Sequence, residues 1–402
     1  MVPNGWKITS LGDICDGNLQ TGPFGSQLHA HEYVDSGVSV LMPKDLIGFR
    51  SNLLEAAKIT ETKAQELKKH VLKSGDLLFS RRGDVTRFAL IDKQAEGAIC
   101  GTGCLKARPN QNHSPEFLAY FLQKDSVKKW LEQNAVGQTM PNMNTEILRE
   151  LPLMSASSKY EEEKIAQILS TWDQAIAVTE TLLENSQQQK QALMQQLLTG
   201  KKRLLDENGV RFSGEWVSYE LNEIAHITMG SSPKSDAYND MGNGLPLIQG
   251  NADIKNRCSS PRIFTSEITK ECSEGDILLS VRAPVGTIAL SKHNACIGRG
   301  IAAIRFRNKT SQQFLYQLLV WYEPKWSNLS QGSTFESINS EDIKSLKLKV
   351  PCVDEQRNIA EVLLTADQEI QALQQKLDCL KQEKKALMQQ LLTGKRRVKV
   401  AA

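Results

Sequence analysis

Two stretches of the chain carry an apolar periodicity that the rest lacks. From Ile165, apolar or small residues return at alternating steps of four and three through Leu169, Trp172, Ile176, Thr179, Leu183 and Ser186, and resume at Leu193 and Leu197. A second stretch runs Ile359, Leu363, Ala366, Ile370, Leu373, Leu377, Leu380, Leu387 and Leu391, broken once by Lys384 where the first has Lys190. Such steps put all of these side chains on one face of a helix, so the pattern predicts two long helices with one apolar seam each. Neither contains proline or glycine before a shared Thr-Gly, which is followed by Lys201-Lys202-Arg203 or Lys395-Arg396-Arg397. A glycine stop with cations behind it is how a helix C-terminus reads. Each seam must be buried, and leucine-sized residues stabilise by roughly 1.5–3 kcal/mol apiece when they are. The partner copy in the same chain is the natural cover, and the connectivity makes the pair antiparallel.

The two stretches are also copies. Residues 192–201 and 386–395 both read ALMQQLLTGK, and the same displacement of 194 carries Ile165, Ala166, Leu169, Thr171, Asp173, Gln174 and Ile176 onto Ile359, Ala360, Leu363, Thr365, Asp367, Gln368 and Ile370. A fainter repeat extends outside them. Trp6-x4-Leu11-Gly-Asp-Ile14 matches Trp216-x4-Leu221-Asn-Glu-Ile224, and Gly75-Asp76-Leu77-Leu78-Phe79-Ser80 matches Gly275-Asp276-Ile277-Leu278-Leu279-Ser280. Gly101-Thr-Gly103 parallels Gly298-Arg-Gly300, and Gly137-Gln-Thr139 with Asn144 parallels Gly332-Ser-Thr334 with Asn339. The helices match closely while the intervening regions diverge. The predicted fold is α/β (α+β): two globular domains separated by a long antiparallel two-helix coiled coil, with a pseudo-twofold internal repeat. The boundaries are 1–157 for the first globular domain, 158–200 for the first helix, 201–213 for a basic linker, 214–352 for the second domain, 353–394 for the second helix and 395–402 for a basic tail. About 38 helical residues at ~1.5 Å each span roughly 57 Å.

Composition narrows the class only a little. The 402 residues are 40% hydrophobic and 24% charged, with net charge +3; this suits a globular protein of two or three domains and is compatible with nucleic acid without requiring it. No segment approaches the ~20 apolar residues of a membrane span, and the opening MVPNGWKITS has no signal-peptide pattern. Eight irregularly spaced cysteines point to free thiols in a reducing cytoplasm. Catalytic motifs are missing. No Asn/Asp-Pro-Pro-aromatic motif with a glycine-rich cofactor loop occurs, and the two Gly-x-Gly pairs lack the third glycine of a cofactor fingerprint and read as strand-flanking turns. His29-x-His31 is half of a metal site at most, and a surface-loop pair is the simpler reading.

This arrangement resembles the specificity subunits of Type I restriction-modification systems: variable regions alternating with repeated ones, a long helix after each globule, Thr21-Gly-Pro-Phe-Gly-Ser26 followed by His31-Glu-Tyr33 and Gly37-Val38, the Gly-Asp strand and the Leu-Leu-Thr-Gly-Lys helix end. The resemblance spans the whole chain. It implies a non-catalytic, cytoplasmic prokaryotic protein whose two target-recognition domains each read one half of an asymmetric, bipartite site on double-stranded DNA, with the spacer set by the helices. A span of that length can hold two readers about one duplex turn, ~34 Å, apart. The resemblance also implies two copies of a DNA adenine methyltransferase subunit and restriction/translocase subunits as partners. No cofactor is expected on this chain, and S-adenosylmethionine, ATP and Mg2+ belong to those partners. Rival readings are a stand-alone DNA enzyme and a coiled-coil scaffold with no use for DNA.

Candidate DNA contacts lie in polar loops rich in glycine, where backbone amides approach phosphates and long side chains reach base edges. In the first domain these are Thr21, Ser26, Gln27, Lys44, Arg81, Arg82 and Thr139; in the second, Ser231, Ser232, Lys234, Gln249, Asn251, Arg282, Arg299 and Thr334. Tight-turn roles compete with contact at each. Arg81 or Arg82 and Arg282 lead, since arginine binds guanine or phosphate bidentately. Phe24 and Tyr238 are either wedges against DNA or packing residues. The basic runs after the helices either meet phosphates or complement the helix dipole.

Overall fold

The computed structural model describes residues 2–24, 27–137, 141–307, 309–328 and 337–398. Both periodic stretches are single helices of 39 residues, Lys159–Leu197 and Val353–Leu391. The chain divides into two compact units, Met1–Thr179 with Lys376–Ala402 and Glu180–Gln375, so each unit owns one half of each long helix.

Unit one is built on a six-stranded sheet in the order Leu19–Thr21, Cys104–Ala107, Leu77–Ser80, Phe88–Leu90, Phe49–Ser51, Leu46–Ile47. A four-stranded sheet follows the order Ile99–Cys100, Val38–Leu41, Ala57–Ile59, Tyr33–Val34, and Lys7–Ser10 pairs antiparallel with Pro152–Ser155. Unit two repeats the plan: Ala225–Met229, Ile301–Phe306, Ile277–Ser280, Ile288–Leu290, Cys258–Ser259, Ile254–Lys255 form its six-stranded sheet, and Val217–Glu220 pairs with Lys347–Val350. The Gly-Asp motif explains the centre of each sheet. Leu77 to Ser80 and Ile277 to Ser280 are buried on both faces, which is why they read as unbroken apolar runs instead of alternating ones. Leu77 and Phe79 face the core that the helices share, while Leu78 faces a smaller one behind; Ile277, Leu279 and Leu278 do the same in unit two. The aspartate opens the strand with a bidentate pair. Asp76 meets Arg108 at 2.6 and 2.7 Å, and Asp276 meets Arg305 at the same distances.

The ends of the long helices belong to the cores of the units. Ile165, Leu169 and Leu391 are fully or nearly fully buried with Trp6, Phe117 and Leu118 in unit one. Leu197, Ile359 and Leu363 are buried with Leu221, Phe314 and Leu315 in unit two, with Leu193 against them, as Leu387 is in unit one. Leu183 and Leu377 are buried, whereas Trp172, Ile176, Ile370, Leu373 and Leu380 are half-buried.

The two lysines that break the seam have a structural reason. In unit one Lys384 reaches Asp173 of the other helix at 2.5 Å, and Asp173 also accepts from the Tyr120 hydroxyl at 2.6 Å. In unit two Lys190 reaches Asp367 at 2.5 Å, and Asp367 accepts from Gln317 Nε2 at 2.8 Å. Taken with the pairs of Glu161 with Arg397 in unit one and Arg203 with Glu355 in unit two, these run the helix halves antiparallel within each unit. The last arginine of each basic run is held in the same way: Arg397 forms a two-point pair with buried Glu161 (2.6 and 2.9 Å) and Arg203 with buried Glu355 (2.6 and 2.6 Å). These two arginines bind the opposite helix's first turn, where a carboxylate also suits the dipole. The Arg397 guanidinium and the Ser157 hydroxyl hold the Glu161 carboxyl below its ordinary range against the opposing effect of burial, which is the largest single influence on it.

The stop glycines sit at φ +70 (Gly200) and +65 (Gly394), a region other residues enter only with strain. A side-chain carbon on Gly394 would lie 2.7 Å from Pro3 and 3.1 Å from Trp6, and one on Gly200 would lie 3.2 Å from Trp216. The helix stop therefore seats the repeated tryptophan. Gly394→Ala is expected to cost up to about 3 kcal/mol, whereas Gly209→Ala, with φ +76 and nothing within 4 Å, meets only the conformational part, about 1 kcal/mol. Equal melting temperatures for the two variants would contradict this packing.

Candidate nucleic-acid interface

In unit two the loops after four strands converge. Ser232, Gln249, Asn251, Arg282 and Arg299 line one open cavity of about 510 Å³, together with Tyr238, Pro233 and Gly300. Backbone and side-chain bonds fix its walls. The Ser231 amide donates to the Ile297 carbonyl at 2.9 Å, the Arg299 amide to Ser232 Oγ at 3.2 Å and the Val281 amide to the Gly300 carbonyl at 3.0 Å. The Gln249 side chain donates to the Tyr238 hydroxyl (3.1 Å), which itself donates to the Pro233 carbonyl (3.1 Å). Tyr238 is thus a half-buried brace of the cavity, and packing describes it better than a wedge. Arg282 and Arg299 are exposed, and among the described residues no hydrogen bond or ion pair engages either guanidinium. Lys234 is exposed beside the cavity, its amide bonded to Glu267 at 3.1 Å.

Unit one assembles matching loops with different side chains. The Arg81 amide donates to the Gly103 carbonyl at 2.8 Å, as Val281 does to Gly300, and the Ser80 hydroxyl bonds the Arg82 carbonyl at 3.1 Å, as Ser280 does that of Arg282 at 3.0 Å. Arg82 bridges to Asn142 as Arg282 does to Ser337. Arg82 is therefore the counterpart of Arg282. Arg81 takes the place of buried Val281; its guanidinium lies 6.0 Å over the Phe24 ring and its Nε is buried without a partner among the described residues. Phe24 is 58% exposed and carries Gln27 on its amide at 3.0 Å. Thr21 ends the edge strand, paired with Leu105. Lys44 is exposed and donates to the Glu55 carbonyl at 3.3 Å, so nothing draws its ammonium to the loop cluster. Ser26, Thr139 and Thr334 lie outside the described residues.

Two residues that sequence reading passed over set the loops. Asp45 and Asp253, both 2% exposed, accept from the amides of Met42 (2.8 Å) and Gln249 (2.9 Å) and so close the turns that bear Lys44 and Asn251. Their signal is faint, because a lone aspartate four or five residues after a strand looks like any turn former. Gly22 and Gly230 make the loops' close approach possible: a side-chain carbon would fall 1.8 Å from the Gly101 carbonyl oxygen and 2.2 Å from that of Gly298. The two Gly-x-Gly pairs are turns that supply those carbonyls. His29 and His31 stack with ring centres 5.5 Å apart, and among the described residues no group of three or more His, Cys, Asp or Glu is placed to hold a metal. Nor is any described helix long and apolar enough to cross a membrane.

The arrangement suits recognition: two open, polar, arginine-bearing clusters at equivalent points of two similar scaffolds. Comparison with known proteins is consistent. The family described as Type I restriction modification DNA specificity domain matches residues 3–186 and 213–382. A putative type I restriction enzyme MjaX specificity subunit of Methanocaldococcus jannaschii is 29% identical over 99% of this chain and 95% of its own length, and the MjaVIII specificity subunit of the same organism is 22% identical over 99% and 94%. Among solved structures, a chain from work on complex assembly and conformational transition of the type I R-M system is 25% identical with TM-score 0.58, covering 98% of each chain. A Type-I restriction-modification S subunit from M. genitalium, at 17% identity, matches in fold with TM-score 0.64 over 100% of this chain and 97% of that one.

Proposed function

The chain belongs to the Type I restriction modification DNA specificity domain family, and from that membership we infer that each of its two units reads one half of an asymmetric, two-part DNA site. Its role is sequence specificity, without catalysis of its own. The observation that carries the reading is that equivalent loops converge on both sheets but present unlike side chains: Ser232, Gln249, Asn251, Arg282 and Arg299 in one unit, Phe24, Gln27, Arg81 and Arg82 in the other. A common scaffold with different donors and acceptors is what two different half-sites require, because base edges are told apart by hydrogen-bond pattern.

The partners of this subunit are two copies of a DNA adenine methyltransferase and the restriction/translocase subunits, within the prokaryotic cytoplasm. S-adenosylmethionine, ATP and Mg2+ act on those partners. Two helices that share the repeated ALMQQLLTGK offer two equivalent docking faces over that segment, which supports the stoichiometry of two. The test is to co-express the chain with its neighbouring methyltransferase in a host lacking adenine methylation and to map the modified bases. A motif of two short parts with a constant gap is expected. Modification confined to one contiguous motif, or none at all, would overturn the reading.

A further inference from the structure

The repeat is not equally charged in its two copies. Immediately before the identical ALMQQLLTGK, the first helix reads Gln187-Gln-Gln-Lys190-Gln191 and the second Lys381-Gln-Glu-Lys384-Lys385. In unit one the second helix's lysines face the sheet across a groove of about 730 Å³, whose walls include Arg87, Lys124, Lys128, Lys381, Lys385 and Lys395. Among the described residues its one acidic lining residue is Asp125. Lys384 also reaches the groove but is paired with Asp173, Arg87 is held 3.1 Å from Asp84 in its own turn, and Lys381 is likewise engaged within the protein, so a phosphate would share these charges with their present partners. The ammonium of half-buried Lys124 lies 4.2 Å over the Phe121 ring, and burial pushes its pKa down, so an anion beside it would relieve a desolvated charge.

The equivalent place in unit two carries fewer cations among the described residues, although Lys201 matches Lys395. The Ser80 amide bonds the Arg87 carbonyl and the Ser280 amide bonds that of Thr287, which makes Thr287 the counterpart of Arg87. Gln187 and Gln191 stand where Lys381 and Lys385 do. The two-residue turn that places Phe49 at the groove has Arg257 at the matching position, and Arg257 is occupied by Glu323 at 2.8 and 3.1 Å. Arg87 lies across the same hairpin from Ser80, directly before Arg81 and Arg82, so the groove opens beside the loops assigned to base reading.

We propose that this groove is a phosphate track, holding the backbone of duplex DNA next to the half-site read by unit one, and that unit two lacks its equivalent. The proposal rests on the DNA-reading conclusion above. It makes one half of the site depend on non-specific electrostatic grip and leaves the other to rely on its base contacts. An open groove with several cations at successive turns of one helix fits a polyanion that continues past the protein better than a small phosphorylated ligand, which would need a closed, hydrogen-bonded seat.

The test is Lys381→Gln with Lys385→Gln in the full-length chain, which installs the residues that the first helix carries at the matching positions and so leaves the helix intact. Binding of a labelled, random-sequence duplex of about 30 base pairs is followed across a salt titration. Each phosphate contact contributes about 0.9 to the slope of log K against log salt, so the double variant should flatten the slope by about 1 to 2. Lys381→Arg with Lys385→Arg should restore it, and Arg87→Thr should flatten it by up to about 0.9. Gln187→Ala with Gln191→Ala, the matching pair in the first helix, should leave the slope unchanged. An unchanged slope in the double glutamine variant overturns the proposal. An unchanged slope with weakened co-purification of the methyltransferase overturns it in favour of a protein-docking surface. If the wild-type chain binds no duplex under any salt condition, the DNA-reading conclusion itself falls.

Discussion

Arg203→Ala is expected to lower the stability of the protein by about 3 kcal/mol, the lower part of the range for removing one partner of a buried ion pair. The buried partner is Glu355, whose side chain is fully enclosed and receives both arginine nitrogens at 2.6 Å. Taking the arginine away strands a carboxylate at the start of a long helix, out of reach of water. The lower part of the range applies because Arg203 keeps 19% of its own surface exposed. For a unit of this size about 3 kcal/mol corresponds to a fall in Tm of roughly 6–12 °C. Replacing both partners with leucine should recover most of the loss, since a buried pair exchanged for well-packed apolar groups is often neutral. A single variant that melts with the wild type would show that Glu355 is served by something other than Arg203.

The same pair shows where sequence reading stops. Two long helices, their glycine stops and the pairing of the regions around them were legible, because a 3.6-residue apolar period and a ten-residue identity survive any loop variation. That Arg203 and Arg397, the last residues of the two basic runs, would hold the opposite helix was not. Their partners Glu355 and Glu161 lie 152 and 236 residues away, and nothing local distinguishes a cation that caps a dipole from one that crosses to another segment. Lys190 and Lys384 were visible only as flaws in a seam; they became intelligible once Asp367 and Asp173, themselves one repeat apart, appeared opposite them. The strands of the Gly-Asp motif were legible as apolar runs, but not the buried aspartates Asp45 and Asp253, because a turn-closing carboxylate has no periodicity. For the reading loops, the sequence supplied residue types in glycine-rich segments. Which of Arg81 and Arg82 faces outward depended on register in a two-residue stretch, and that register is set by hydrogen bonds to Gly103 and Asn142.

That register makes the second large prediction. Arg282→Ala and Arg82→Ala should each weaken binding of the cognate site by about 1–3 kcal/mol, roughly 5- to 150-fold, with little change in Tm, because both side chains are exposed and their backbone carbonyls stay bonded to Ser280 and Ser80. The two variants should differ in what they relax. Losing Arg282 frees the half-site read by unit two while the other half remains stringent, and losing Arg82 does the reverse; a map of methylated bases from the assembled enzyme distinguishes them. Arginine-to-lysine changes separate the kinds of contact, since a lysine keeps a phosphate partner as a point charge but loses the planar two-point grip on guanine. If Arg282→Lys restores affinity without restoring stringency, Arg282 reads a base. If it restores both, Arg282 holds backbone, and discrimination falls to Gln249, Asn251 and Arg299 around the same cavity. Wild-type binding and an unaltered motif in both alanine variants would remove these loops from the recognition surface altogether.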